Sequence, residues 1–86
     1  MIRTRFDKDS DVLYLSIDAP CRAFVDEKAD GLLLRISYET RQPIGLTIIS
    51  ASAHWKSRID LLASRASEWL KVPADDLKKA ISEKIY

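Results

Sequence analysis

The chain of 86 residues has one cysteine, one histidine and two glycines, and each scarcity removes a class of function. A single thiol, Cys21, cannot close an intrachain disulfide, which sets the chain apart from small disulfide-stapled domains and suits a reducing compartment. A lone cysteine is most simply a small apolar residue. His54 and Cys21 together do not supply the several ligands at regular spacing that a transition metal needs, so no metal site is expected. Gly31 and Gly45 stand apart, whereas a phosphate-cradling loop needs clustered glycines, so no nucleotide cofactor is expected. No apolar run approaches the ~18 residues of a membrane span. Arg3 and Arg5 lead into strand-like alternation rather than into the apolar segment of a signal peptide, so the expected location is the cytoplasm. Charge of one sign is also lacking: the net charge is +1, which argues against a strongly basic nucleic-acid binder.

What is present is a change of period. Up to about residue 52 the apolar residues alternate. Ile2, Thr4 and Phe6 lie opposite Arg3 and Arg5, as in a half-buried edge strand. Val12 to Ile17 is apolar on both faces, as in a strand covered on both sides, and Asp18-Ala19-Pro20 breaks it. Arg22 to Val25 reads as a short strand, Asp26 to Gly31 as a turn, Gly31 to Tyr38 as a strand, Glu39 to Pro43 as a turn and Ile44 to Ser50 as a last strand. Short links between them favour an antiparallel meander of four or five strands.

From about Ala53 the repeat becomes helical. Trp55, Ile59, Leu62, Ala63, Ala66, Trp69 and Leu70 share one face, with Lys56, Asp60, Ser64, Ser67, Glu68 and Lys71 outside it. Pro73 suits the first turn of a second helix, with Asp75 and Asp76 near its positive end, Asp75 and Lys79 as partners one turn apart, and Leu77, Ala80, Ile81 and Ile85 as its apolar stripe. The fold class is therefore α+β. It is one domain over residues 1–86, with a sheet part (1–52) and a helical part (53–86), the helices packed on the sheet or across a dimer. One helical pair can cover one sheet face. The other then calls for a partner, and a homodimer packed through the sheet is the economical answer.

Three motifs bear on chemistry. Asp7, Asp9 and Asp11 have the D-x-D-x-D spacing of a calcium loop. Such a loop wants glycine at its sixth position and glutamate at its twelfth, and those positions hold Val12 and Asp18. A strand starting at Val12 would carry Asp18 some ~20 Å away. The three aspartates read instead as a hairpin connection whose side chains bond nearby backbone N–H groups. His54 is the one candidate general base, but no nucleophile motif accompanies it, so no catalytic residue is assigned. Trp55, Arg58, Trp69, Lys78 and Lys79 form the candidate interaction surface on the helices. The basic residues there are interleaved with acids, the mark of a solvated face, which leaves a small DNA-binding regulator as the second reading.

Phe6-Asp7, Asp11-Val12-Leu13-Tyr14-Leu15, Gly31-Leu32-Leu33-Leu34 and Gly45-Leu46-Thr47-Ile48-Ile49-Ser50-Ala51-Ser52 together resemble a bacterial family catalogued as domain of unknown function 2283. The likeness covers about residues 3–52. It departs at Thr47, where the family usually has glutamate, and at Glu39 to Pro43, where the family often has an acidic, glycine-containing turn. The resemblance implies a small antiparallel sheet and no established activity; family members have been suggested as antitoxin-like partners of small toxins. The expected function is a non-catalytic protein-interaction module, homodimeric, with no cofactor and no membrane contact.

Overall fold

The structure, a computed structural model, describes residues 2–18 and 21–85. Five strands come first: β1 (Arg3–Asp7), β2 (Val12–Ser16), β3 (Ala23–Ala29), β4 (Leu32–Ser37) and β5 (Pro43–Ile49). Helix α1 (Ala51–Trp55), a 3-10 turn over Lys56–Arg58, α2 (Ile59–Leu70) and α3 (Ala74–Ile85) follow. The fold is α+β, with one antiparallel sheet and a C-terminal helical layer. Part of the break expected at Asp18-Ala19-Pro20 lies outside the described residues, and β2 ends before it at Ser16.

The strand order is β1-β2-β5-β4-β3, which departs from a sequential meander at one point. β3, β4 and β5 form a meander and β1 and β2 a hairpin, but the chain crosses from β2 to the far edge before returning, so β5 docks against β2. The four strands β2 to β5 thus take a Greek-key order. Alternation says which side chains share a face, not which strand lies beside which, and this is why the sequence pointed to the simpler route.

β3 is longer than expected. Asp26, Glu27 and Lys28, read as turn residues, belong to the strand. Charged residues are tolerated there because β3 is an edge strand. The Lys28 ammonium reaches Asp26 at 2.9 Å, and the register slips between Glu27 and Ala29. The turn proper is Asp30-Gly31, with Gly31 in the left-handed region at φ 78.

Alternation sorts the sheet into two faces. Leu13, Leu15, Leu32, Leu34, Leu46 and Ile48 point to the helices and join Trp55, Ile59, Leu62, Ala66, Leu70, Leu77 and Ile81 in one core. A fully buried side chain of this size contributes about 1.5–3 kcal/mol, so this layer between sheet and helices dominates stability. The helices pack on their own sheet, α3 against β1 and α2 against β5.

The expected first helix begins at Ala51 and is broken over residues 56–58, where Arg58 leaves helical geometry at φ −131, ψ 35. Arg58 also closes the break. Its Nε and Nη2 donate to the His54 carbonyl at 3.2 and 3.0 Å, and its guanidinium lies 4.6 Å from the Trp55 ring centre. A carbonyl that the interruption would orphan is thereby satisfied. Lys71 ends α2 in the left-handed region, its N–H bonded to the Ser67 carbonyl at 2.9 Å. Pro73 stands just before α3 rather than in its first turn, and its carbonyl accepts from the Leu77 N–H at 3.2 Å. The expected Asp75–Lys79 pair does not form among the described residues; the ion pair made from α3 is Lys78 to Asp60 of α2, at 2.7 Å.

β5 approaches β2 so closely at Gly45 that a Cβ there would lie 2.5 Å from the Leu15 carbonyl oxygen. Backbone cannot yield to relieve such a contact without parting the two strands. Gly45→Ala is expected to cost about 1–3 kcal/mol, measured as a lower urea midpoint at an unchanged m-value.

Candidate functional site

Two places gather polar chemistry: the junction where sheet becomes helix, and the sheet face that the helices leave open. At the junction β5 turns into α1 through Ser50 alone, which takes φ 54 and makes no side-chain cap. Asp11, at φ 56 after the first hairpin turn, supplies the cap from 41 residues away. Its Oδ1 accepts from the Ser52 N–H at 2.9 Å and the Ser52 hydroxyl at 2.8 Å. Its Oδ2 accepts from the Ala53 N–H at 3.0 Å, and its backbone carbonyl from the Ala51 N–H at 2.9 Å. Partial burial pushes the Asp11 carboxyl up, but the Ser52 and Ala53 N–H groups and the Ser52 hydroxyl outweigh it and hold the pKa below the ordinary aspartate value.

The acidic triplet is therefore divided in its work. Asp7 does what the hairpin reading expects. It accepts from the Asp9 and Ser10 N–H groups at 3.2 and 3.4 Å, and the Ser10 hydroxyl and N–H lower its pKa. Asp11 corrects that reading, because its partners lie across the fold on α1. Among the described residues no three His, Cys, Asp or Glu side chains group so as to hold a metal ion. No signal within either segment pointed to this clamp, since Asp11 and Ser52 lie 41 residues apart.

The open face is built from the register. Across β1, β2, β5, β4 and β3, one outward row is Arg3, Ser16, Gly45, Arg35 and Val25. The next is Arg5, Tyr14, Thr47, Leu33 and Glu27. Asp7, Val12 and Ile49 form a third. Val25 is 56% exposed and Ile49 39%. Arg5 lies over the Tyr14 ring, 4.4 Å from its centre, which fixes the guanidinium across the face. Among the described residues Arg3, Arg5 and Arg35 form no ion pair. They border a shallow depression of about 210 Å³ floored by Tyr14 and Ser16.

The five helical candidates do not come together on one surface. Trp55 is 6% exposed and sits in the core, its Nε1 without a hydrogen-bond partner among the described residues. Trp69 is half-buried against the same core. Arg58 is exposed but committed to Trp55 and His54. Lys78 borders a cleft with Lys56, Ile59 and Asp60, whereas Lys79 borders a different groove, about 710 Å³, with Ile2, Leu70 and Val72. The His54 ring meets Trp55 edge-on at 6.0 Å, and Cys21 is exposed. No helix among the described residues is long and apolar enough to cross a membrane.

No family model, curated protein or solved structure matches the chain.

The Asp11 clamp has a defined pH signature. Its folded-state pKa lies below that of the unfolded chain. Its contribution is therefore full above the unfolded value of about 3.9 and is lost as pH falls through the lower, folded value. Asparagine tolerates the left-handed backbone but lacks the charge. Asp11→Asn is expected to cost about 1 kcal/mol at neutral pH and Asp11→Ala about 2 kcal/mol. Denaturant melts of wild type and Asp11→Asn should converge as the pH drops toward the folded pKa. A gap that persists in acid would show that the carboxylate charge is not what the helix uses.

Proposed function

We propose that this protein is a non-catalytic interaction module, acting in the cytoplasm, that engages another polypeptide through the open face of its sheet. The observation that carries the reading is the composition of that face. Tyr14 and Leu33, half-buried, and Ile49 and Val25, exposed, place apolar side chains on the strands of this face, bordered by arginines without ion-pair partners among the described residues. A contiguous apolar patch rimmed by polar groups is what protein contact surfaces look like, and aromatic residues and arginine are enriched in them.

The carboxylates with lowered pKa values, Asp7 and Asp11, support the same reading, since both are occupied in holding backbone. The resemblance of residues 3–52 to domain of unknown function 2283 supports an interaction role and makes a small toxin one candidate polypeptide. The DNA-binding reading has less support: α2 and α3 turn their apolar stripes to the core, and Lys78 is neutralised by Asp60.

The test is a paired affinity capture with native mass spectrometry. Wild type should retain a stoichiometric polypeptide, and Ile49→Asp should lose it at an unchanged circular dichroism spectrum. Equal capture by both would remove the open face from the interaction.

A further inference from the structure

We infer that the polypeptide occupying the open face is a second copy of this chain, related to the first by a two-fold axis running along β5. The inference rests on the open face being the interaction surface, and it names the occupant.

β5 is the middle strand of five. A two-fold axis in the plane of contact and parallel to β5 therefore lays β1 over the partner's β3, β2 over its β4, and β5 over itself. The register then decides which side chains meet. On the row Arg5, Tyr14, Thr47, Leu33, Glu27, Arg5 of each copy comes over Glu27 of the other. Tyr14 comes over Leu33, and Thr47 over Thr47. The two cation–carboxylate pairs lie at the rims and the apolar pairs inside them, which is the anatomy of a protein interface. Both rim side chains are exposed in the single chain, and Arg5 is already held across the face by Tyr14.

On the neighbouring row Arg3 comes over Val25 and Arg35 over Ser16, so no charged side chain lies directly opposite its like. The residues on the axis are Gly45, Thr47 and Ile49, none of them charged. Gly45 presents no side chain to hold the sheets apart, and Ile49, 39% exposed, finds its own copy. The other in-plane axis, across the strands, would set Arg5 against Arg5 and Glu27 against Glu27. Like charges placed directly opposite are repulsive, so of the two axes passing through Thr47 the charge pattern favours the one along β5.

Size sets the strength. Five strands and three outward rows span roughly 20 by 15 Å, well under the ~800 Å² per partner of a standard stable interface. The dimer is a weak, concentration-dependent one.

Sedimentation velocity from micromolar to near-millimolar protein tests this with designed charge reversals. Wild type should associate over that range. Arg5→Glu and Glu27→Arg should each weaken association by about tenfold or more, because each leaves like charges facing at both rims. The doubly reversed chain should recover it, and so should an equimolar mixture of the two single variants. Thr47→Glu, which sets two carboxylates on the axis, should be monomeric. Unchanged circular dichroism and urea midpoints for these surface variants keep a folding defect out of the comparison.

A wild type that is monomeric throughout, or a dimer indifferent to the reversals, overturns the inference. So does association seen only in the mixture of single variants, the signature of an axis across the strands. A monomer that still captures a different polypeptide, lost in Ile49→Asp, overturns the second copy as occupant but leaves the open face as an interaction surface. A monomer whose capture ignores Ile49→Asp removes both readings.

Discussion

The carboxylate of Asp11 joins the two layers of this protein. It leaves the first hairpin through a left-handed backbone and takes the Ser52 and Ala53 N–H groups and the Ser52 hydroxyl of α1. Bonds from N–H donors to an ionised acceptor are among the stronger ones a fold makes, and a negative charge belongs at a helix start. With that end held, β5 passes into α1 through the single residue Ser50, and Trp55 and Ile59 join the core that Leu13, Leu46 and Ile48 form from the sheet. The break at residues 56–58 then turns the chain without losing its carbonyl, because Arg58 covers it.

The clamp also decides which face of the sheet is covered. The helices leave β5 toward one side, and both lie there. The outward rows, with Val25, Leu33, Ile49 and Tyr14 among the arginines, receive no helix of their own. A two-layer domain of this length has only one core to bury. The proposed interaction surface is thus a consequence of the topology rather than of a binding motif, which is why no motif search along the chain would locate it.

Much of the fold was legible because period is a local property. The change from two-residue alternation to helical spacing separated sheet from helices, and the buried stripes Ile59-Leu62-Ala63-Ala66-Leu70 and Leu77-Ile81-Ile85 follow the expected faces. The misreadings share one cause. Asp26 to Lys28 look like a turn by composition and are a strand by virtue of an edge position. Trp55, placed by its period on the apolar helix face and also a candidate interaction residue, is a core residue whose Nε1 has no hydrogen-bond partner among the described residues. Asp11, read as bonding nearby backbone in the first hairpin connection, caps α1 instead. In each case the deciding neighbour is far away along the chain, and spacing within the segment carries no trace of it.

By itself the sequence determined the class of the fold, the place where sheet gives way to helix, and the apolar faces of the helices and of most strands. Those follow from side-chain chemistry and period, which each segment carries with it. Only the tertiary structure decided that β5 sits between β2 and β4, that Gly45 must be glycine because the Leu15 carbonyl passes beside it, and that Asp11 belongs to α1. It also decided that arginines from β1 and β4 share one uncovered face. The physical reason is that strand order and layer geometry are settled by contacts between segments distant in sequence, where the competing arrangements differ in packing and not in local preference.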